Sequence, residues 1–392
     1  MVSRQLWTSK EKREIIYRIR THASGSPQRI ALEYGTRAVT YRALIERLDQ
    51  RLLALADAVR PGQFVAIECP RSVEYVVDFL AILALGGIPV PLDLDMPVGH
   101  RDRRRELIGS GVPAATAVDG AYVLFTPGDV PLPVLGSGSA LRAFLDWQRA
   151  EFDIKRDDRF ALLSDLGSEA MVREMFSPLW AGATLVIPAE QECDWPETTV
   201  AWLDRRAISV VDVTPSVARE WLRHGQNRCD SVRTVFFAGE PVPANLLGAW
   251  HTMFPGTRNR VSYYGPIEAG LPTVHKRLRR SYDGPGNLAA GRPVPGTRYC
   301  VIEPALRLWS PNLVRAALEN PGTEGEVVLV SRYPSYGYVG LPEETGARFV
   351  DLGDGLTAYR TGDRGRLERG GELSILGRIS GAAAQRQEKL SG

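Results

Sequence analysis

Apolar residues at Leu44, Leu48, Leu52, Leu55 and Val59 recur at helical spacing along TYRALIERLDQRLLALADAV, behind a Thr40 placed to cap the first turn. A Pro-Gly turn then feeds the short apolar strand of QFVAIECP. Next, SVEYVVDFLAILALGG reads as a mostly apolar helix stopped by Gly86-Gly87, and Ile88 to Leu92 reads as the following strand. Strand, helix, strand in this order predicts parallel α/β units, because strands covered on both faces are apolar throughout. The same order returns in GATLVIP, ISVVDVTPS and SVRTVFFAGEPV. After about Pro285 the pattern changes to short alternating strands separated by turn residues, in GRPVPGTRYCVIEP, GEVVLVS, AYRTGD and GELSILGR. That change predicts a small antiparallel sheet or barrel closing the chain. Neither an internal repeat nor a low-complexity segment interrupts the pattern.

Composition narrows the classes. With 392 residues, 44% of them hydrophobic, the chain can bury a large core divided among two or three subdomains. Lys and Arg number 48 against 46 Asp and Glu, so no overall field points to nucleic acid or to a membrane surface. Cys69, Cys193, Cys229 and Cys300 lie far apart with no C-x-x-C pair, which reads as reduced thiols rather than a disulfide frame or a zinc site. The opening MVSRQLWTSKEKREIIYRIR has no apolar block of the leader type, and no apolar run is long enough to span a bilayer, so a cytoplasmic protein is expected. The run HRDRRRE, with Asp102 and Glu106 among its arginines, reads as a solvated helix face. Five histidines show no H-E-x-x-H pairing, and GSGS at Gly136 to Ser139 lacks the spacing of a nucleophile elbow.

Several strand ends carry residues that together resemble one family. TYRALIERLDQRLLALA, LALGGIPVPLDLDMP, VSYYGPIEAG, YGYVGLPEETGARFV and YRTGDRGRLERGGELSILGR follow one another in the order and spacing of the adenylation-domain motifs of nonribosomal peptide synthetases, within the adenylate-forming (AMP-binding) enzymes. The resemblance runs from about residue 25 to Arg378. It implies an α/β fold: a core of two α/β sheet subdomains over roughly residues 1–284, a small antiparallel β-barrel and hinge over 285–378, and a tail of 379–392. Such enzymes join a carboxylate to the α-phosphate of Mg-ATP and pass the acyl group to a carrier-protein thiol. The protein's task is positioning and charge neutralisation.

Carried over motif by motif, the resemblance gives Asp363 as the ribose-binding carboxylate, with Arg378 beside it at the hinge. Tyr264 becomes the aromatic stacked on adenine, with Gly265 after it, and Glu268 the acid that holds Mg²⁺. Gly239 and Glu240 form the strand end lining the acyl pocket.

Other positions depart from the family. Its Thr-Ser-Gly-Ser-Thr-Gly phosphate loop and following lysine are replaced by Thr126, Pro127, Gly128, Asp129, Val130 and Pro131, with no lysine or arginine between Thr126 and Leu141. Two prolines remove N–H donors, and Asp129 adds negative charge where phosphate oxygens would lie. Losing three charge-assisted hydrogen bonds of ~1.5–3 kcal/mol each weakens triphosphate binding by about three orders of magnitude or more. Glu169 stands where amino-acid-activating members place the aspartate that pairs with the substrate ammonium, and reaches further. Arg173 brings a cation into an ordinarily apolar pocket, and Ile267 replaces a threonine hydroxyl near the α-phosphate. At the hinge Ser380 replaces an aspartate, and GAAAQRQEKLSG follows where the family continues into its mobile domain.

The expectation is therefore a catalytically degenerate, inactive adenylation domain needing no cofactor, where its relatives use ATP and Mg²⁺. It would serve as a platform for neighbouring condensation or cyclisation and peptidyl carrier domains, with an MbtH-like helper protein as a further partner and the carrier loaded in trans. The alternative is an active amino-acid- or aryl-acid-activating domain cut at its hinge.

Overall fold

The structure, a computed structural model, describes residues 10–109, 119–128, 130–225, 227–303, 309–320 and 322–379. Asp129, Ser380 and the tail to Gly392 lie outside the described residues.

A helix of Lys10–Gly25 leads into the hairpin β1 (Ile30–Tyr34) and β2 (Arg37–Thr40), then the helix Tyr41–Leu55. There follow β3 (Phe64–Ile67), the helix Val73–Ala84, β4 (Ile88–Pro91) and the helix Val98–Ile108. Strands β5 (Gly120–Phe125) and β6 (Pro133–Ser137) precede the helix Gly138–Glu151. From there strands and helices alternate: β7 (Arg159–Ala161), Glu169–Ala181, β8 (Thr184–Ile187), Pro196–Arg205, β9 (Val210–Val213), Pro215–His224, β10 (Thr234–Phe237), Leu246–Met253 and β11 (Asn259–Tyr264). β12 (Val274–Arg277) and β13 (Arg292–Pro293) complete this part. The remainder holds β14 (Thr297–Ile302), a helix Pro311–Glu319, β15 (Glu324–Ser331), a helix Pro342–Arg348, β16 (Phe349–Gly353), β17 (Leu356–Leu367) and β18 (Leu373–Arg378).

Helix starts follow the capping logic of the sequence. The side chains of Thr40, Ser72, Ser137, Ser168 and Thr214 accept hydrogen bonds from backbone N–H groups three residues on. In Tyr41–Leu55 the residues Tyr41, Leu44 and Leu48 form the buried stripe. The helix ends at Leu55, so Val59, buried as well, belongs to the turn beyond it.

A nine-stranded sheet orders its strands β13-β12-β11-β10-β9-β7-β8-β1-β2. The central pairs β11/β10, β10/β9, β9/β7, β7/β8 and β8/β1 are parallel, and both margins are antiparallel. One face packs on the helices that contribute Leu44, Phe79, Leu141 and Met175, and the other on those carrying Trp202, Trp221 and Trp250. Parallel β3/β4 and antiparallel β5/β6 form separate two-stranded sheets. The C-terminal unit is a five-stranded antiparallel sheet, β14-β15-β17-β16 with β18 on β17. It begins later than residue 285, because β13 still pairs with β12 of the large sheet. The α/β part has one large sheet and two small ones.

Residues of the HRDRRRE run lie on the helix Val98–Ile108, which has no buried residue. Arg105 pairs with Glu68 and Asp102, and Arg103 with Glu106. All four cysteines are free thiols, and among the described residues no helix is long and apolar enough to cross a membrane.

Candidate active site

In an open α/β sheet, ligands sit in the crevice beyond the carboxyl ends of the parallel strands. Here the segments leaving β7 and β10 carry Glu169 and Gly239-Glu240, β11 ends at Tyr264 ahead of Gly265 to Glu268, and the C-terminal sheet brings Asp363 and Arg378 against Tyr264.

The residues expected to hold adenosine do come together. Tyr264 donates its hydroxyl to Asp363 Oδ2 at 2.7 Å, and Arg378 Nη1 donates to Asp363 Oδ1 at 2.7 Å and to the Thr361 carbonyl at 3.0 Å. Asp363 is 8% exposed, and its N–H is held by the Thr361 hydroxyl. Register explains the pairing with Arg378: β17 and β18 set Asp363 directly opposite it. Burial raises the Tyr264 hydroxyl well above the usual tyrosine value, and the adjoining Asp363 carboxylate adds to the shift. Burial lowers the pKa of Arg378, but its hydrogen bond and charge interaction with Asp363 outweigh that and hold it above its ordinary value. A Cβ at Gly265 would lie 3.0 Å from the Thr273 N atom, a crowded contact that favours glycine at this turn.

Glu268 is 4% exposed. Its Oε1 accepts from the Tyr338 hydroxyl at 3.1 Å, and its carbonyl from the Ser335 hydroxyl at 2.6 Å. Among the described residues no three His, Cys, Asp or Glu side chains gather as a metal set.

The phosphate-loop stretch is the turn of the β5/β6 hairpin. Thr126 N–H donates to the Leu132 carbonyl at 3.0 Å, and Leu132 N–H donates to the Thr126 hydroxyl oxygen at 2.9 Å. Thr126 is 1% exposed, so its hydroxyl faces the hairpin and not the solvent. Pro127 and Pro131 carry no N–H. A second layer fixes the hairpin: Leu135 N–H donates to Gly337 O, while Tyr336 and Val339 N–H donate to Leu135 O and Pro133 O. Leu132, Val134 and Tyr338 form an apolar cluster against which Ile267 packs. The hydroxyl missing at Ile267 is thus replaced by a hydrophobic contact with the altered loop. Tyr264, Asp363 and Arg378 thus form one hydrogen-bonded group, and the hairpin turns the Thr126 N–H and hydroxyl oxygen inward.

On the acyl side the helix Glu169–Ala181 begins at Ser168, whose hydroxyl oxygen accepts from Met171 N–H. One turn apart, Glu169 and Arg173 share a face and form an ion pair. Alternation along β9 puts Val211 and Val213 on one side of the sheet and Val210 and Asp212 on the other, toward this helix. Arg173 donates to Asp212 Oδ1 from Nη2 at 2.7 Å and from Nε at 3.2 Å, and its guanidinium lies 5.6 Å from the centre of the Tyr263 ring. Burial pushes the Glu169 carboxyl up to about 7 against the pull of Arg173. Glu174 accepts from the Leu163 and Ser164 N–H groups and the Ser164 hydroxyl, and burial, helped by the Asp212 charge, pushes it up to about 8. Gly239, exposed at φ +84°, and Glu240 follow β10. Glu240 accepts from the Ser216 N–H and hydroxyl, which ties it to the start of the helix Pro215–His224.

Asp212, Tyr263, Glu174 and Tyr338 received no role in the motif reading, although Tyr263 and Tyr338 lie within its motifs. Asp212 leaves one signal, a lone charge inside the apolar run SVVDV, which in a buried strand requires a partner.

With this geometry in view, comparison places the protein. The chain matches the family described as AMP-binding enzyme over residues 19–109 and 132–339, and it belongs to that family. It is an adenylation domain of the adenylate-forming superfamily. Similar relatives are tyrocidine synthase 3 of Brevibacillus parabrevis, 27% identical over 91% of this chain and 6% of that protein, and the dapdiamide synthesis protein DdaD of Enterobacter agglomerans, 27% over 92% and 64%. Pyochelin synthetase PchE of Pseudomonas aeruginosa is 29% identical over 94% of this chain and 27% of its own length. The chain therefore spans less than two thirds of these relatives. Among solved structures, the nonribosomal peptide synthetase FmoA3 superposes with a TM-score of 0.80 at 24% identity, covering 95% of this chain and 45% of that one. Its α-methyl-L-serine-AMP bound form gives a TM-score of 0.80 at 24% identity, over 95% and 47%. The family match breaks between residues 109 and 132, the interval that contains β5 and the Thr126–Pro131 turn.

Proposed function

We propose that this chain is a non-catalytic adenylation core of a cytoplasmic nonribosomal peptide synthetase module, kept as a rigid platform for neighbouring condensation and carrier domains, with the carrier charged in trans. The observation that carries this reading is the closed β5/β6 hairpin. Thr126 and Leu132 satisfy one another, two prolines flank the turn, and Ile267 seals it with an apolar contact. The break in the family match over the same residues supports it. A fold whose core packs throughout while its phosphate loop has changed is what retention for shape would leave. An MbtH-like helper fits the same role as a partner.

The grouping of Tyr264, Asp363 and Arg378 favours a second reading, an active domain forming an acyl-adenylate from an amino or aryl acid. Two measurements on the native module separate them. Under the first reading, amino-acid-dependent ATP–pyrophosphate exchange stays at the level of a control without protein. Product formation with a carrier loaded by a separate enzyme then falls when residues 1–378 are deleted. Exchange with one preferred acid overturns the first reading, and full product formation after the deletion overturns the platform role.

A further inference from the structure

Where the helix Glu169–Ala181 packs on the carboxyl half of β9, the space between them is filled by a buried cation. Arg173 is 2% exposed, and the Asp212 side chain it contacts is equally buried. The guanidinium meets carboxylates on two sides, Glu169 from its own helix and Asp212 from β9, with the Tyr263 ring as a third wall. These are the elements that recognise a planar organic cation: carboxylates matched to the N–H fork and an aromatic face. Near them the buried Tyr122 hydroxyl has no hydrogen-bond partner among the described residues, a donor left unused beside Glu169 and Arg173.

We propose that Arg173 is a built-in occupant of this space, its guanidinium standing between Glu169 and Asp212 where the cationic group of a ligand would sit. Without that side chain the space becomes a receptor for small cations of the guanidinium and alkylammonium class. In the native chain the same contact excludes a free amino acid, whose ammonium would have to displace a covalently tethered cation. The exclusion of amino acids rests on reading this space as the acyl pocket; the cation site does not. An ion pair that only supports the fold makes a different expectation. Its loss would be restored by apolar repacking and not by a soluble cation.

The test is Arg173→Ala, with thermal unfolding followed in millimolar guanidinium, methylguanidinium or propylammonium chloride against sodium chloride of equal ionic strength. The variant is expected to lose stability and to regain about 2–4 °C in its midpoint with the organic cations, by binding linkage. The native protein should not respond, and Arg173→Ala with Asp212→Asn should not respond. Should Arg173→Ala fail to fold, Arg173→Ala with Glu169→Gln leaves a single acid in the space and is expected to respond through Asp212. A folded variant that responds no more than the native chain overturns the proposal, as does a response that survives Asp212→Asn. Either failure leaves the hairpin argument standing. Pyrophosphate exchange by the native module would instead remove the non-catalytic reading, whatever the cations do.

Discussion

Thr126 and Leu132 close the β5/β6 turn on each other, the N–H of each donating to the other residue, to the carbonyl at 3.0 Å in one direction and to the hydroxyl oxygen at 2.9 Å in the other. A loop built to wrap phosphates presents its donors outward. This one turns its threonine inward, where it holds the hairpin together.

The threonine should therefore matter to stability. Thr126→Val keeps the shape but leaves the Leu132 N–H facing a methyl group. We expect a loss of about 1–3 kcal/mol, the cost of an unsatisfied buried donor. Urea unfolding measures it, and a change within error would mean the hairpin does not depend on this contact.

Gly136 sits opposite Tyr122 in the same hairpin, and a Cβ built on it would lie 2.2 Å from the Tyr122 ring. Gly136→Ala is expected to destabilise by about 1–3 kcal/mol through overpacking. Much of that should return in the double variant with Tyr122→Leu, whose smaller side chain withdraws from the contact. Additive losses in the two variants, measured by the same unfolding curves, would contradict the packing argument.

Buried acids give the protein a pH dependence of known sign. Burial raises Glu174 to about 8 and Glu169 to about 7, above the ordinary value of 4.5. Between the ordinary and the raised values the folded chain binds more protons than the unfolded one. The stabilising contribution is fully present below the ordinary value and is lost as pH rises through the raised one. These two groups should thus make stability fall by up to about 1.4 kcal/mol per pH unit each, both from about pH 5 to pH 7 and Glu174 alone up to about pH 8. Glu174→Gln should flatten the curve, and a native protein that gains stability over this range would refute the assignment.

The alternating strands and helices and the helix cap at Thr40 were legible in the sequence, because periodicity and capping are local. So was the meeting of Tyr264, Asp363 and Arg378, through motif order alone. What the sequence did not disclose depends on register between distant segments. Arg173 finds Asp212 only because β9 faces the helix Glu169–Ala181, 39 residues apart in the chain. Lys12, one charge among many in the opening stretch, is fully buried, with Nζ donating to the Gly120 carbonyl at 2.7 Å. Burial lowers it to about 8, partly offset by Asp119. The single large sheet likewise arises from pairing β1 with β8, a contact no local pattern announces.

Calorimetry of AMP and Mg-ATP on the native chain and on Asp363→Ala tests the account most directly, since Tyr264, Asp363 and Arg378 meet while Thr126 and Leu132 close the β5/β6 turn on each other. We expect both nucleotides to bind weakly, AMP at least as well as Mg-ATP, and both to weaken in the variant. Micromolar binding of Mg-ATP, much tighter than that of AMP and lost on Asp363→Ala, would contradict it, because the triphosphate would then have found its donors.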